Sequence, residues 1–420
     1  MTLQPRFTAA DGLRYGLLGL PLAFVALPLY VTLPNYYARE FGVPLASLGV
    51  LLLLARLFDA VIDPWIGRLN DRLFARSTAS VLGLGAVAAL LLALGFALLF
   101  FPQTRQPAAL LAWAGAALVI TYAGYSALSV AHQSWGARLG GDESQRSRIV
   151  AWREGLGLAG VLLASVLAVA AGPVVSTAVF CVALLAGWLA WTRSVLPPPP
   201  VHKAMPFSLW WPLASAAFRR LLGVFLLNGI ASAIPATLVL FYVQDRLQAP
   251  TGIQPAFLGS YFLFAALSMP LWLALVRRIG LARSWLCGMA LSVAVFIWAA
   301  GLGTGDFAAF LAVCILSGIA LGADLALPGA MLAGVIADEG AGGKGEGAYF
   351  GWWNFATKLN LALAAGLALP LLQLAGYSPG VRNDQALTAL VLAYCVLPCI
   401  LKVAAAATLY FAFIRSGSSP

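Results

Sequence analysis

Arg56-Leu57-Phe58-Asp59-Ala60-Val61-Ile62-Asp63-Pro64-Trp65-Ile66-Gly67 runs on into Arg68-Leu69-Asn70-Asp71-Arg72, and this stretch decides how the chain is read. Apolar residues dominate from Leu45 to Ile66, yet the run holds one guanidinium and two carboxylates. At a bilayer centre each such charge costs at least about 2.5 kcal/mol, and an ionisable residue kept there marks a functional site by default. At helical spacing Arg56, Asp59 and Asp63 share one face, so both carboxylates reach one cavity with a cation on the same stripe. Pro64 has no N–H and deprives the Ala60 carbonyl of its helical donor, adding an oxygen near the pair. An oxygen-rich set of this kind suits a hard monovalent cation or a shared proton. The bland reading, in which Arg56 merely neutralises one Asp, leaves the other carboxylate unexplained.

Composition places the stretch in a membrane. Of 420 residues 62% are hydrophobic and 10% charged, against about 25% charged in a soluble domain. With about 20 residues per spanning helix, the apolar blocks give an all-α protein with spans near 13–38, 44–67, 79–101, 107–137, 149–171, 174–194, 219–243, 252–276, 283–303, 307–336, 347–374 and 386–414. Loop Lys and Arg gather on the side of Arg68, Arg72, Arg76, Arg277 and Arg278, with Arg39, Arg105, Arg246 and Arg382 on the other. The positive-inside rule then puts both termini in the cytoplasm. The net charge of +10 serves topology and contact with anionic lipid rather than nucleic acid. Two six-helix halves, 1–194 and 219–420, are joined by a linker at 195–218. The linker holds Pro197-Pro198-Pro199-Pro200, a stiff spacer, and ends in Phe207-Ser208-Leu209-Trp210-Trp211, which reads as an amphipathic interfacial segment.

No cleavable leader pattern opens the chain, and no GxSxG, HExxH or Walker sequence supports an enzyme. Cys181, Cys287, Cys314, Cys395 and Cys399 fall within spans at spacings that make no metal site, so they read as small core residues. No cofactor is expected beyond a coupling Na⁺ or H⁺.

Span 4 carries Tyr122, Ser126, Ser129 and Gln133 as a polar stripe with Tyr125 and His132 beside it; such a stripe either serves a ligand or glues helices. Span 5 opens on Trp152-Arg153-Glu154, whose charges snorkel or gate, and Gly155, Gly157 and Gly160 permit close helix contact. Trp188 and Trp191 read as an interfacial belt. Asn228, Asp324, Asn354, Lys358 and Lys402 lie inside later spans, with Lys358 the expected partner of Asp324. The Gly-rich run from Asp338 to Gly351 reads as a mobile loop.

Tyr15-Gly16, the motif from Ala55 to Gly67, Asp142, Arg146, Arg153 and Lys358 together resemble the glycoside-pentoside-hexuronide:cation symporters, the melibiose permease branch of the major facilitator superfamily. The resemblance covers the whole chain. It implies twelve helices in two six-helix bundles around a cavity opened alternately to each side. It makes Asp59 and Asp63 the coupling-cation carboxylates and Ser126 a third ligand. Arg153 and Lys358 would connect cation site and cavity, and Tyr125, Gln133 and Asn354 would line the substrate site. Where the family carries sugar-binding aspartates this chain has Ala23 and Ser129, and His132 stands in place of an aromatic residue. That argues against a simple galactoside and for a small organic, anionic or amphiphilic solute bound at Tyr125, Ser129, His132, Gln133, Asn354 and Lys358. Arg56 is the expected counter-charge, and Asp71-Arg72 the hinge below the site. The expected protein is a monomeric inner-membrane symporter without a nucleic-acid partner. A lipid or lysolipid flippase of the same fold is the alternative, and a non-transporting membrane sensor a third.

Overall fold

The computed structural model describes residues 7–26, 28–29, 33–43, 45–170, 172–198, 208–342, 344–377, 380 and 382–415. The end of the polyproline spacer, with Pro199 and Pro200, and Phe207 lie outside the described residues. Among those residues every regular element is a helix.

The first apolar region is divided into α1 (Ala9–Gly16), α2 (Gly19–Phe24) and α3 (Leu33–Phe41). Pro21, Pro28 and Pro34 lie along it, and a proline inside a helix removes a donor and clashes with the preceding turn. A reciprocal cap starts α1: the Asp11 N–H donates to Thr8 Oγ1 at 3.2 Å, and the Asp11 carboxylate accepts the Thr8 N–H at 3.0 Å. Such a cap satisfies two N–H groups that the first helical turn cannot. Then follow α4 (Leu45–Arg76), α5 (Thr78–Phe100), α6 (Pro107–Arg138), α7 (Glu143–Ala170) and α8 (Gly172–Thr192). After the short α9 (Trp211–Ala214) come α10 (Ala216–Phe241), α11 (Gln254–Ile279), α12 (Leu281–Ala300), α13 (Phe307–Asp338), α14 (Glu346–Leu374), α15 (Asp384–Val391) and α16 (Leu397–Leu409). Nine helical segments among the described residues are long and apolar enough to cross a membrane. At 32 and 29 residues, α4 and α14 are also long enough to span.

By packing the chain forms two units, residues 1–212 with 336–355, and residues 213–335 with 356–420. The division falls inside the expected linker, and the first turns of α14 group with the first unit. There α4 and α5 pack along α6, while α1 and α2 pack on α7 and α8. The α2–α7 contact runs through Gly160, where a side chain would meet the Leu20 carbonyl, whereas Gly155 faces open space. Trp191 is a correction to the expected belt. It is fully buried, with its ring edge-on to Trp135 at 5.3 Å and to His132 at 5.7 Å. Trp352 Nε1 donates to the Leu209 carbonyl at 2.9 Å, and Trp210 lies against Trp352 at 5.4 Å. The end of the linker is therefore held on the start of α14 by aromatic packing.

In the second unit α16 packs on α10 and α12. Five-residue π-helical turns extend α10 at Tyr242–Arg246 and join α15 to α16 at Leu392–Val396. Tyr242 and Tyr394, one from each turn, stack at 4.3 Å with an interplanar angle of 18°.

Candidate cation site

Long α4 packs along α6 and so sets Asp59 and Asp63 opposite the polar stripe of span 4. Asp59 is 2% exposed and Asp63 is fully buried. The Ser126 hydroxyl donates to Asp59 Oδ1 at 2.8 Å and is itself buried. Two carboxylates one helical turn apart and a hydroxyl from the neighbouring helix are therefore grouped inside one unit. Their donor set is all oxygen, the chemistry that hard cations take. Near Asp63 the backbone is tightly packed: a Cβ on Gly351 of α14 would lie 2.6 Å from the Asp63 carbonyl oxygen. Arg56, predicted on the same face, is exposed.

The remaining stripe divides in two. Gln133 Nε2 donates to Ser129 Oγ at 2.8 Å on α6 itself, and Tyr125 is half-buried nearby on that helix. His132 is fully buried, its ring 4.3 Å from that of Tyr15, and its Nε2 lies 2.8 Å from the Tyr15 carbonyl. The Tyr15 hydroxyl returns a bond to the His132 carbonyl at 3.0 Å. The structure thus gives His132 a packing role between α1 and α8 in place of the expected solute-facing one. Arg153 bonds Glu154 through Nε at 2.9 Å and Nη2 at 2.5 Å. Asn354 is buried in the first unit, and Lys358 is half-buried in the second.

Beyond the predicted end of span 2, α4 continues to Arg76, and there Asp71 is 3% exposed while Arg72 is exposed. Asp71 Oδ1 accepts the Gly347 N–H at 2.7 Å and Oδ2 the Ala348 N–H at 2.8 Å. A carboxylate at a helix N-terminus satisfies unpaired amides and complements the helix dipole. Arg138, from the last turn of α6, reaches Asp71 at 3.2 Å and Glu346 at 2.7 Å, with its guanidinium 4.0 Å above the Phe74 ring. Gly67 and Gly347 meet face to face, where a side chain on either would strike the other's carbonyl. Sequence reasoning found Asp71 but not Arg138 or Glu346, and took Gly347 and Gly351 for loop glycines. The signal was available: Gly67 lies four residues before Asp71, and Gly347 and Gly351 are themselves four apart, the spacing of close helix contacts.

Asp324 corrects another expectation. Its partner is Lys402 at 2.6 Å, not Lys358. Lys402 also donates to Asn228 Oδ1 at 2.9 Å, while Asp324 accepts from Trp285 Nε1 at 2.9 Å and Ser232 Oγ at 3.2 Å. Asp324 and Lys402 both lie near mid-span in the sequence, and that shared depth was the clue.

A family described as MFS/sugar transport protein matches residues 13–191 and 213–416. A search of curated proteins gave no match. Among solved structures the chain is similar to a bacterial homologue of the iron transporter ferroportin, with a TM-score of 0.72 at 15% identity, covering 97% of this chain and 99% of that one. The major facilitator superfamily transporter FucP matches with a TM-score of 0.71 at 14% identity, covering 97% and 99%. A second structure of FucP, the E. coli fucose:proton symporter, gives 0.72 at 15%, covering 96% and 98%. At such identities the likeness is one of fold: twelve helices in two six-helix bundles. The family match, which takes in both halves and omits only the linker and the ends, carries the assignment further. This chain belongs to the MFS/sugar transport family of the major facilitator superfamily, and it is an integral membrane transporter.

Proposed function

We propose that the protein is a cation-coupled symporter of the melibiose permease kind, with Asp59, Asp63 and Ser126 holding Na⁺ or H⁺. The observation that carries this reading is the buried Asp59, bonded by Ser126 at 2.8 Å one turn from a fully buried Asp63. Two carboxylates inside a membrane bundle repel each other and lose hydration, so a bound cation relieves both costs at once. Relief that differs between conformations makes the cation favour one of them. A solute that prefers the same conformation is then bound more tightly, and the coupling is reciprocal.

In this reading Tyr125, Ser129, Gln133 and Asn354 contact the solute, while Arg56 and Arg153 balance charge. Asp71 holds the start of α14, with Arg72 beside it. Ala23 and Ser129 offer no carboxylate to paired sugar hydroxyls, so the solute is a small organic molecule other than a simple galactoside. The membrane in question is a bacterial inner membrane, with both termini cytoplasmic.

Proteoliposomes bearing an imposed Na⁺ or H⁺ gradient test the proposal against a panel of labelled sugars, organic anions and lysolipids. Gradient-driven uptake of one solute, abolished by Asp59→Asn and by Asp63→Asn, is the expected result. Uptake that follows the gradient equally well in the double variant would falsify the assignment.

A further inference from the structure

The second unit holds a partly open cavity of about 160 Å³ bordered by residues of α10, α11, α12, α13 and α16. A cavity of about that size is large enough for a single benzene ring. Its walls include Phe257, Tyr261, Phe296 and Tyr394, and at one place Asp324 and Lys402 interrupt them. The buried ion pair is thus both the anchor of four helices and part of a cavity wall.

The bonding of that pair specifies what it accepts. Asp324 Oδ1 is taken by Trp285, and Oδ2 by Lys402 and Ser232. The ammonium of Lys402 has three N–H groups, and Asn228 and Asp324 draw two of them. Among the described residues nothing else takes the third, and Lys402 is part of the cavity wall. A charged guest would upset a balanced pair in apolar surroundings, which is costly. An uncharged oxygen on an aromatic body meets the ammonium without that cost, and its ring matches the walls.

A second observation points the same way. Pro235 and Pro398 both border the cavity, and each removes one N–H from its helix. Tyr394 sits on the π-helical turn Leu392–Val396. Interrupted ladders of this kind within spanning helices occur where the backbone lines a cavity, and π turns are frequent at functional sites. Independently of the cation reading, we infer that this cavity binds a small uncharged aromatic alcohol or phenol, its oxygen on Lys402 and its ring among the aromatic side chains.

Cys314 and Cys399 border the cavity, whereas Cys287 is exposed elsewhere, so the protein carries its own reporters. The full-length protein in maltoside micelles is treated with methyl methanethiosulfonate, and each cysteine is followed by peptide mass spectrometry. Benzyl alcohol at ten times its dissociation constant is expected to slow modification of Cys314 and Cys399 by about tenfold, with Cys287 unaffected. Benzoate and benzylamine, charged analogues of the same size, should protect weakly or not at all. Ala236→Phe and, separately, Leu321→Trp place bulk at the cavity wall without touching the pair, and both should abolish protection. Three results overturn the inference: no protection by benzyl alcohol, equal protection of Cys287, or protection by benzoate matching that by benzyl alcohol. Undiminished protection in whichever filled-cavity variant melts like the parent overturns it as well.

Discussion

Replacing Lys402 by Met leaves Asp324 in place without its counter-ion. The two side chains are 5% and 11% exposed, so the pair is buried, and removing one partner of such a pair costs about 3–5 kcal/mol. One feature of the site lowers that cost, since Trp285 and Ser232 still donate to the carboxylate. One raises it, because Asn228 loses the donor it had at 2.9 Å, and an unsatisfied buried acceptor costs about 1–3 kcal/mol. The balance is a loss of about 3 kcal/mol, or about two powers of ten in the unfolding equilibrium. Adding Asp324→Leu removes the stranded charge. Buried pairs replaced by apolar residues of similar volume are often neutral or more stable, but here Asn228 stays without its donor and Trp285 loses its acceptor, so Lys402→Met/Asp324→Leu should recover only part of the loss and lie between Lys402→Met and the parent. Unfolding of both variants and the parent in mixed micelles, titrated with dodecyl sulfate and followed by circular dichroism, measures the three stabilities. If the double variant proves no more stable than Lys402→Met, the pair acts through packing rather than charge, and the reasoning fails.

Ser126→Ala removes the 2.8 Å bond to Asp59 and should weaken Na⁺ binding about tenfold, read by calorimetric titration. Asp71→Asn deprives Gly347 and Ala348 of a charged acceptor and should cost about 1–3 kcal/mol, seen as faster amide exchange over Glu346–Phe350 with exchange in α12 unchanged. His132→Phe keeps a ring between Tyr15 and Trp191 but loses the 2.8 Å contact with the Tyr15 carbonyl; stability should fall by about 1 kcal/mol, and cation binding should stay as it is.

Spanning helices were legible because bilayer thickness imposes a length and an apolar composition on each of them. The pair at Asp59 and Asp63 was legible for a related reason, since a charge in an apolar run stands out without any knowledge of its neighbours. Partner identity was not. Asp324 finds Lys402 across 78 residues of chain, and Asp71 finds the start of α14 across 276, distances over which local periodicity carries no signal. Residues with two plausible roles were read toward the wrong one. Trp191 and His132 are amphipathic side chains that suit an interface or a cavity as well as a core, and only the packing of α1 on α8 decides between them. The glycines at 347 and 351 carry a similar ambiguity, for a loop and a close helix contact call for the same residue.

Counting bound cations is the most direct test of the site in α4. Equilibrium binding of radiolabelled Na⁺ and potentiometric proton uptake, measured on the same purified protein, register either ion. The parent should hold a saturable cation equivalent, as Na⁺ or as H⁺, that Asp59→Asn/Asp63→Asn lacks. Equal Na⁺ binding together with equal proton uptake in parent and double variant would contradict the assignment of these two carboxylates.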